Sequence, residues 1–449
     1  MDNDAASEAL VPLTSAQFTV LVEHLIRPSG LAYNQPLIAE IPGEVSLQTY
    51  RGAVNSAARR CEMLFSRYHY VNGEAGFTIG VPHEIDVVVY DTQAEAAASF
   101  VSPFDLNRDP LLRAGMVRYD GHVTCLLIDF HHIATDGVSI GFFSKQLAEA
   151  LAGKPFSRVY RTLVDYITWA TDDLAHRAAR ERSNALLKES IAAGVRRTPW
   201  PSSFVQEDQG PTAELGYAVH RFHLDPALSR RIKDRALATR QTAFKLCYLA
   251  FLATHASVAA RTDITSAFVA SGRTGHPFFD AYGMLSKTVL LAARLDRERT
   301  LAATLALLSH DINTALESQE LSSESLLRSL AKATGERALV DALFVFQNIA
   351  FLKQPVLGGY FRSFCEGRKE VQFGMVVHVF DRGTPGYEIH WEYSPKRYSP
   401  DAVREFARKF ENLVAELARV DLEVRLGELI DGPVLATTVG SEIPELDFS

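Results

Sequence analysis

Residues 131–139, with the sequence HHIATDGVS, constrain the fold of this chain more than any other stretch. The preceding residues, 122–130, are mostly β-branched or apolar and follow an Asp-Gly turn at 120–121. This pattern predicts the second strand of a β-hairpin whose first strand covers 111–119. The apolar stretch 139–151 predicts a helix immediately afterwards. A strand, a tight turn and a helix therefore meet at the paired histidines.

The two histidines are not equivalent, because successive side chains of a strand point to opposite faces. His131 and His132 therefore face in opposite directions, and only one of them can face a given cleft. A zinc site is disfavoured, since neighbouring strand residues diverge and no Cys, His or Glu follows at zinc-ligand spacing. A Ser-His-Asp triad is also disfavoured. Two structural histidines remain the alternative interpretation of the pair taken alone.

The length of 449 residues predicts two lobes around a large core. The net charge of −8 disfavours duplex nucleic acid as a partner. The four cysteines are widely spaced without a CxxC motif, which disfavours a disulfide framework or a zinc site and favours a reducing compartment. The acidic N-terminus is unlike a signal peptide, and no apolar run has the length of a membrane span. We therefore expect a cytoplasmic protein without a membrane partner.

Helices alternate with strands, many of them in antiparallel hairpins, which predicts two similar α+β lobes with a binding cleft between them. We expect a disordered tail at 1–11, a first lobe at 12–175, a connecting helix and crossover at 176–215, a second lobe at 216–430 and a tail at 431–449. In the second half, helices are predicted at 226–238, 243–259, 300–316, 322–333 and 400–419, and strands at 264–270, 288–295, 342–349, 357–364, 371–380 and 386–393.

Further short motifs accompany HHIATDG in a fixed order along the chain. They lie at 13–17, 32–34, 60–64, 164–169, 271–274, 282–288, 318–320, 343–348 and 391–394. This order resembles that of condensation domains of nonribosomal peptide synthetases, within the chloramphenicol-acetyltransferase-like superfamily. The resemblance covers roughly residues 12–425. Any one motif is weakly specific, and their order carries the assignment.

The resemblance implies two chloramphenicol-acetyltransferase-like lobes in a V arrangement, each with a mixed, largely antiparallel sheet and flanking helices. A donor acyl thioester on the phosphopantetheine arm of an acyl or peptidyl carrier protein would enter the tunnel between the lobes from one side. An amine or alcohol acceptor, free or on a second carrier protein, would enter from the other. No permanently bound cofactor and no metal are implied, and we expect a monomer.

The resemblance also assigns roles to residues. His132 is predicted to be catalytic, taking the proton of the attacking nitrogen or oxygen. Gly137 is predicted to provide a turn, room for the pantetheine arm and a backbone N–H for the tetrahedral oxyanion. His131 is predicted to be a packing residue. Asp136 and Arg273 are predicted to form a buried ion pair that holds the turn and joins the lobes.

Five residues are candidate substrate contacts: Ser139, Ser318, Gln347, Asn348 and Trp391. Ser139 is equally consistent with a helix cap, and the others with packing or strand pairing. The chain departs from the family pattern at Cys61 (usually His), Phe65 (Arg), Lys287 (Asn), Ser318 (His) and Ser322 (Pro). These departures predict an acceptor unlike a standard carrier-bound amino acid.

We therefore predict a free-standing condensation enzyme of natural-product biosynthesis that forms an amide or an ester. The first alternative is an acyl-CoA-dependent acyltransferase of the same superfamily, which the later motifs disfavour. The second is a non-catalytic module that recruits carrier proteins, which the intact HHIATDG motif disfavours.

Overall fold

The computed structural model describes residues 10–71, 73–173, 197–205, 216–274, 277–317, 340–348 and 355–432, together with residues 178, 181 and 185. The predicted helix at 322–333, most of the predicted crossover at 176–215 and most of both predicted tails lie outside these residues. Residue 11 does not belong to a tail, because it pairs with Phe77 in a sheet.

The described residues form helices and strands in alternation. The helices are α1 (Ser15–Ile26), α2 (Leu47–Ala58), α3 (Gln93–Ser99), α4 (Gly137–Leu151), α5 (Leu163–Asp172), α6 (Pro226–Ala238), α7 (Ala243–Ala259), α8 (Leu301–Glu317), α9 (Pro400–Leu417) and α10 (Leu426–Asp431). The strands are β1 (Val11–Pro12), β2 (Asn34–Glu40), β3 (Ser66–Val71), β4 (Glu74–Ile79), β5 (Val87–Tyr90), β6 (Leu112–Tyr119), β7 (His122–His131), β8 (Arg161–Thr162), β9 (Ala218–His223), β10 (Asp263–Ala270), β11 (Ala281–Tyr282), β12 (Lys287–Arg294), β13 (Ala342–Gln347), β14 (Arg362–Ser363), β15 (Met375–Asp381) and β16 (Tyr387–Tyr393).

The first lobe is built on a five-stranded sheet in the order β14-β2-β7-β6-β5. Its pairs are antiparallel except β5 with β6. The predicted hairpin is present, because β6 and β7 pair through the Asp120-Gly121 turn, where both residues have positive φ. Large side chains of α2 and α4, among them Tyr50 and Phe143, are buried in the core of this lobe.

The second lobe is built on a six-stranded sheet in the order β12-β10-β13-β15-β16-β9. One face of this sheet lies in a core shared with α6, α7, α8 and α9. Helix α7 spans the predicted residues and is buried almost all round, as its apolar sequence predicts. Helix α9 begins as predicted, with Ser399 as its N-cap and Pro400 in its first turn. The opposite face of the sheet looks toward the first lobe.

Several predicted boundaries differ from the structure; the strand predicted at 371–380, for example, begins at Met375. The strand predicted at 357–364 is reduced to β14, because 356–359 form a tight turn. In this turn Val356 and Gly359 exchange backbone hydrogen bonds, and Leu357 and Gly358 have positive φ. The helix predicted from Ser139 begins two residues earlier, since Asp136 accepts the Ser139 backbone N–H and is the N-cap of α4.

Two segments of the second half belong structurally to the first lobe. Strand β14 extends the first-lobe sheet by pairing with β2, and β11 pairs with β8. Phe278, Leu285 and Phe361 are buried in the first-lobe core. The division of the chain at residue 216 did not anticipate these crossovers, because strand partners far apart in sequence leave no local pattern.

Among the described residues, no single helix is long and apolar enough to cross a membrane. The pair α6 and α7, bent by 108°, meets the length and composition criteria together.

Candidate active site

A cavity of about 440 Å³ lies between the two lobes, within the range of small-molecule sites in proteins. Its apolar wall comes mainly from the second lobe: Phe244, Phe268, Leu343, Val345, Phe346 and Val376. Polar side chains on its lining include His132, Gln347, Arg368, His378 and Glu392. A second cavity of about 50 Å³ is lined by Tyr33, Met284 and Lys287 and also by His132. His132 therefore lies on the lining of both cavities.

The hydrogen bonding of His132 fixes which ring nitrogen is basic. Its Nδ1 lies 2.9 Å from the Thr135 carbonyl oxygen. A carbonyl only accepts, so Nδ1 carries the proton and Nε2 has the free lone pair. Burial lowers the pKa of His132, against the opposing effects of the Asp136 charge and backbone hydrogen bonds. The ring is therefore neutral at physiological pH and able to accept a proton.

His131 occupies a different environment. Its side chain is buried, and its ring packs against His24, Tyr33 and Phe104 with centroid distances of 6.1, 6.4 and 5.6 Å. Burial, together with the charges of His24 and His132, lowers its pKa well below the usual value. The structure thus places one histidine in the packing layer and the other at the cavities, in the arrangement that strand alternation predicts.

Asp136 is buried, and each of its oxygens accepts several hydrogen bonds. Oδ1 accepts the Ser139 N–H at 2.9 Å, and Oδ2 accepts the N–H groups of Leu285 and Ser286 at 3.0 Å each. Arg273 adds two bonds, from Nη1 at 2.5 Å and from Nη2 at 3.0 Å. Burial would raise the pKa of Asp136, but the charge and hydrogen bonds of Arg273 hold it below the usual value. The structure brings the predicted pair together across the two lobes.

Ser139 is neither the helix cap nor a lining residue of the cavity. Its hydroxyl donates to the Gly283 carbonyl at 2.9 Å and accepts from the Gly283 N–H and from Arg273. Residues 137–141 read Gly-Val-Ser-Ile-Gly, which matches the Gly-x-Ser-x-Gly pattern of hydrolase nucleophiles, and the sequence interpretation overlooked this match. In the structure this serine is fully buried in the first turn of a helix, so it is no exposed nucleophile.

Gly137 lines the large cavity as the first residue of α4. It is not among the described glycines with positive φ, so the predicted need for a special turn conformation is wrong. Its backbone N–H is one of the four at a helix start that have no acceptor within the helix. The 15-residue helix α4 directs its positive end toward the cavity.

The remaining predicted contacts divide into three cases. Gln347 and Asn348 line the cavity, and Gln347 Nε2 lies 3.2 Å from His378 Nδ1. Ser318 lies outside the described residues. Trp391 is not a lining residue: it is fully buried in the second-lobe core against Phe406 and Phe410. Alternation along β16 places it on the face opposite its neighbour Glu392.

Sequence reasoning missed the ion pair of Arg368 and Glu392. Arg368 Nη1 lies 2.8 and 3.1 Å from the Glu392 oxygens, and Nη2 donates to the Asn34 carbonyl of the first lobe at 3.3 Å. Burial would raise the pKa of Glu392, but Arg368 and His378 hold it well below the usual value. The motif at 391–394 contains Glu392, but the prediction named its neighbour Trp391 as the substrate contact.

The departures from the family pattern lie in different places. Lys287 lines the small cavity beside His132. Cys61 is buried in the first-lobe core, where its thiol lies 3.6 Å from Gln146 Oε1, and Phe65 is buried in the same core. Ser318 and Ser322 lie outside the described residues. Of the three departures that the structure describes, Lys287 alone lines a cavity that His132 also lines.

The model of the family described as Condensation domain matches residues 7–426. The chain therefore belongs to the condensation domain family. Condensation domains form amide bonds in nonribosomal peptide synthesis and work with the phosphopantetheine arms of carrier proteins.

Surfactin synthase subunit 2 of Bacillus subtilis (strain 168) is 27% identical over 331 residues, covering 73% of this chain and 9% of the relative. Bacitracin synthase 3 of Bacillus licheniformis is 23% identical over 416 residues, covering 91% of this chain and 6% of the relative. The chain thus spans less than a tenth of the length of these relatives.

Among solved structures, the first condensation domain of the calcium-dependent antibiotic synthetase, in complex with a substrate analogue, is similar with a TM-score of 0.77 and 20% identity. The match covers 94% of this chain and 99% of that one. The predicted fold class, two chloramphenicol-acetyltransferase-like lobes with mixed sheets, is confirmed.

Proposed function

We propose that this chain transfers an acyl group from a phosphopantetheine thioester on a carrier protein to an amine or an alcohol, forming an amide or an ester. The observation that carries this proposal is the position of His132 on the lining of both cavities, with a basic Nε2. Two substrates that approach from opposite sides would meet at this nitrogen.

In the proposed mechanism, His132 Nε2 accepts the proton of the nucleophile while its nitrogen or oxygen attacks the thioester carbonyl. The Thr135 carbonyl holds the ring and stabilises the resulting imidazolium. The tetrahedral intermediate carries an oxyanion, which the Gly137 N–H at the positive end of α4 stabilises. Collapse breaks the carbon–sulfur bond, and the departing pantetheine thiolate takes the proton back from His132. General base catalysis of this kind contributes about 10²–10⁴-fold.

Asp136 and Arg273 do not need to take part in proton transfer. Arg273 and the backbone N–H groups of Leu285 and Ser286 already use both oxygens of Asp136, and the pair lies under the turn that carries His132. Their role in the proposal is to hold α4 and the loop at 283–286 in place and to tie both to Arg273 of the second lobe. Gly137 and His132 are then presented in one fixed geometry.

We further propose that the chain acts as a free-standing enzyme, with the donor supplied on a separate carrier protein. The acceptor is proposed to differ from a carrier-bound amino acid, because Lys287 replaces the usual Asn beside His132. A cation at this place favours an acceptor with an acidic or hydrogen-bond-accepting group near its nucleophile.

The test is intact mass spectrometry of an acyl-loaded carrier protein incubated with the enzyme and with matched amine and alcohol acceptors. We expect the acyl mass to leave the carrier and to appear on one acceptor class, which distinguishes amide from ester formation. His132→Ala should reduce this transfer by about 10²–10⁴-fold. The control is His83→Ala, which removes an exposed histidine and should transfer at the wild-type rate.

Each other outcome has a defined meaning. Transfer from acyl-CoA but not from the carrier would indicate the acyl-CoA-dependent acyltransferase. Wild-type transfer no faster than the uncatalysed reaction would indicate a non-catalytic module. A His132→Ala variant as active as the wild type would overturn the assignment of the base.

A further inference from the structure

A cluster of buried side chains near the large cavity joins the segment after β14 to the second-lobe sheet. Cys365 lies in a short 3₁₀ turn at Cys365–Gly367, immediately after β14. Its Sγ lies 3.8 Å from Nδ1 of His390 on β16. Nε2 of the same ring lies 2.5 Å from Glu388 Oε1, and Glu388 is bonded to Arg382 Nε at 2.6 Å. Thiol, imidazole and carboxylate thus form a connected row, with the carboxylate itself held in place.

We propose that Cys365 is a reactive thiolate, activated by His390 and Glu388, that small electrophiles and peroxides entering from the cavity modify. The arrangement has the parts of an activated nucleophile: a thiol, a base within hydrogen-bond reach and a third group that orients the base. With Nε2–H donated to Glu388, Nδ1–H can donate to the sulfur, and the pair becomes thiolate and imidazolium.

The electrostatics agree with this geometry. Burial would lower the pKa of His390, but Cys365 and Glu388 raise it to about 9. Burial would raise the pKa of the Cys365 thiol, but the charge and hydrogen bond of His390 hold it below the usual value. The other three cysteines are equally buried, and burial raises the pKa of each thiol. Cys365 is therefore the exception among four buried cysteines.

A metal site is the competing use of these side chains, because ligand atoms of Cys365, His390 and Glu392 lie within 4.8 Å of one another. The nearby Arg368 argues against it. This guanidinium is hydrogen-bonded to the Glu392 carboxylate, and it is a partly buried positive charge that a metal cation would have to approach. The same charge favours an anionic sulfur nearby.

The proposed route of access is from the large cavity. Cys365 does not line this cavity, but Glu392 does, and a Glu392 carboxylate oxygen lies within 4.8 Å of the Cys365 sulfur. With a peroxide, the thiolate sulfur attacks one oxygen, the oxygen–oxygen bond breaks, and a sulfenic acid and hydroxide form. With an alkyl iodide, a carbon–sulfur bond forms and iodide leaves. Either adduct adds atoms beside the Arg368–Glu392 pair.

The test compares the four cysteines within one native sample treated with iodoacetamide and, separately, with hydrogen peroxide plus a sulfenic acid trap. Peptide mass spectrometry then gives the modification rate of each cysteine. We expect Cys365 to react about tenfold or more faster than Cys61, Cys125 and Cys247, which report unfolding of the protein. Equal rates at all four cysteines would overturn the proposal.

A variant and a pH profile test the cause. His390→Gln should lower the Cys365 rate by about tenfold, while Cys125 stays unchanged. If this variant does not fold, the wild-type pH profile decides. An unactivated thiol gains about tenfold in rate per pH unit below its pKa, and Cys365 should gain less between pH 7 and 9. A full tenfold gain, or an unchanged rate in a folded His390→Gln, would contradict activation by His390.

Discussion

Two ion pairs between an arginine and a buried carboxylate join the lobes, and they differ in how many hydrogen bonds the carboxylate accepts. Asp136 accepts three backbone N–H groups in addition to Arg273. Glu392 accepts hydrogen bonds from Arg368 and lies 3.7 Å from His378. Residues of both pairs line the large cavity. Both carboxylates are buried and paired with an arginine, although Arg368 is more exposed than Arg273. The number of backbone donors separates a carboxylate that holds the scaffold from one that still has capacity for a ligand.

The largest expected effect is a loss of stability on removing Arg273, the partner of Asp136. Arg273→Ala leaves the buried Asp136 carboxylate without its counter-charge, so we expect a loss of about 3–5 kcal/mol in the free energy of unfolding. Chemical denaturation measures this loss. Arg273→Lys should recover only part of it, because an ammonium cannot reproduce the bidentate contact. A loss below about 1 kcal/mol for Arg273→Ala would contradict this prediction, since the backbone donors alone would then be enough to stabilise the Asp136 carboxylate.

A substitution in the Arg368–Glu392 pair should reduce the stability of the protein less and change its activity more. Glu392→Gln keeps the shape of the side chain and removes its charge, which leaves the partly buried Arg368 without this counter-charge. We expect a loss of about 1–3 kcal/mol in unfolding free energy, together with a changed KM for acyl transfer. The matched control is Glu405→Gln on α9, remote from the cavity, which should change neither. An unchanged KM would place Glu392 with Asp136, as part of the scaffold.

The dependence of activity on pH tests the neutral state of His132. Its pKa is lowered, so the imidazole loses its proton at a pH below the ordinary value of about 6.5. The rate of acyl transfer should therefore rise with pH, with a midpoint below about 6.5, and be flat at higher pH. The kcat/KM of the carrier-dependent reaction measures this, with circular dichroism at each pH as the control for folding. A midpoint above about 7 would contradict the neutral state of His132 at physiological pH.

The smallest expected effect is the loss of stability at low pH that protonation of Asp136 causes. Its folded pKa is depressed, so its contribution to stability is present above its unfolded pKa of about 3.9 and is lost as the pH falls through the folded pKa. Asp136→Asn removes this contribution, so the difference in stability between variant and wild type should shrink below about pH 4. Thermal unfolding between pH 3 and 7 measures it. A constant difference over this range would show that the charge of Asp136 is not what stabilises the turn.

Much of this fold could be predicted, because its signals are local. Alternation in one strand separates His131 from His132, and the apolar run of α7 predicts a buried helix. The ordered motifs supported the pairing of Asp136 with Arg273, although 137 positions separate the two residues. These predictions depend on periodicity or on motif order, both of which a single sequence contains.

The rest depends on tertiary pairing. Whether Trp391 or Glu392 faces the cavity depends on which side of β16 the helices cover, and both alternatives satisfy the same alternation. Arg368 is a surface-type residue in sequence and becomes a cavity residue only because β14 brings its segment onto the first lobe. The row of Cys365, His390 and Glu388 likewise joins two elements. Its cysteine and histidine are 25 positions apart, so no short motif in the sequence indicates that they meet.

Strand β14 also has a consequence for folding. It covers the outer edge of β2, and this edge would otherwise present unpaired backbone groups to other chains. A fragment that ended before residue 362 would keep most of the first-lobe core but expose this edge, which favours aggregation. The lobes are therefore unsuitable as separately expressed modules. A chimera that exchanged one lobe for that of a relative would also have to exchange the short strand that seals it.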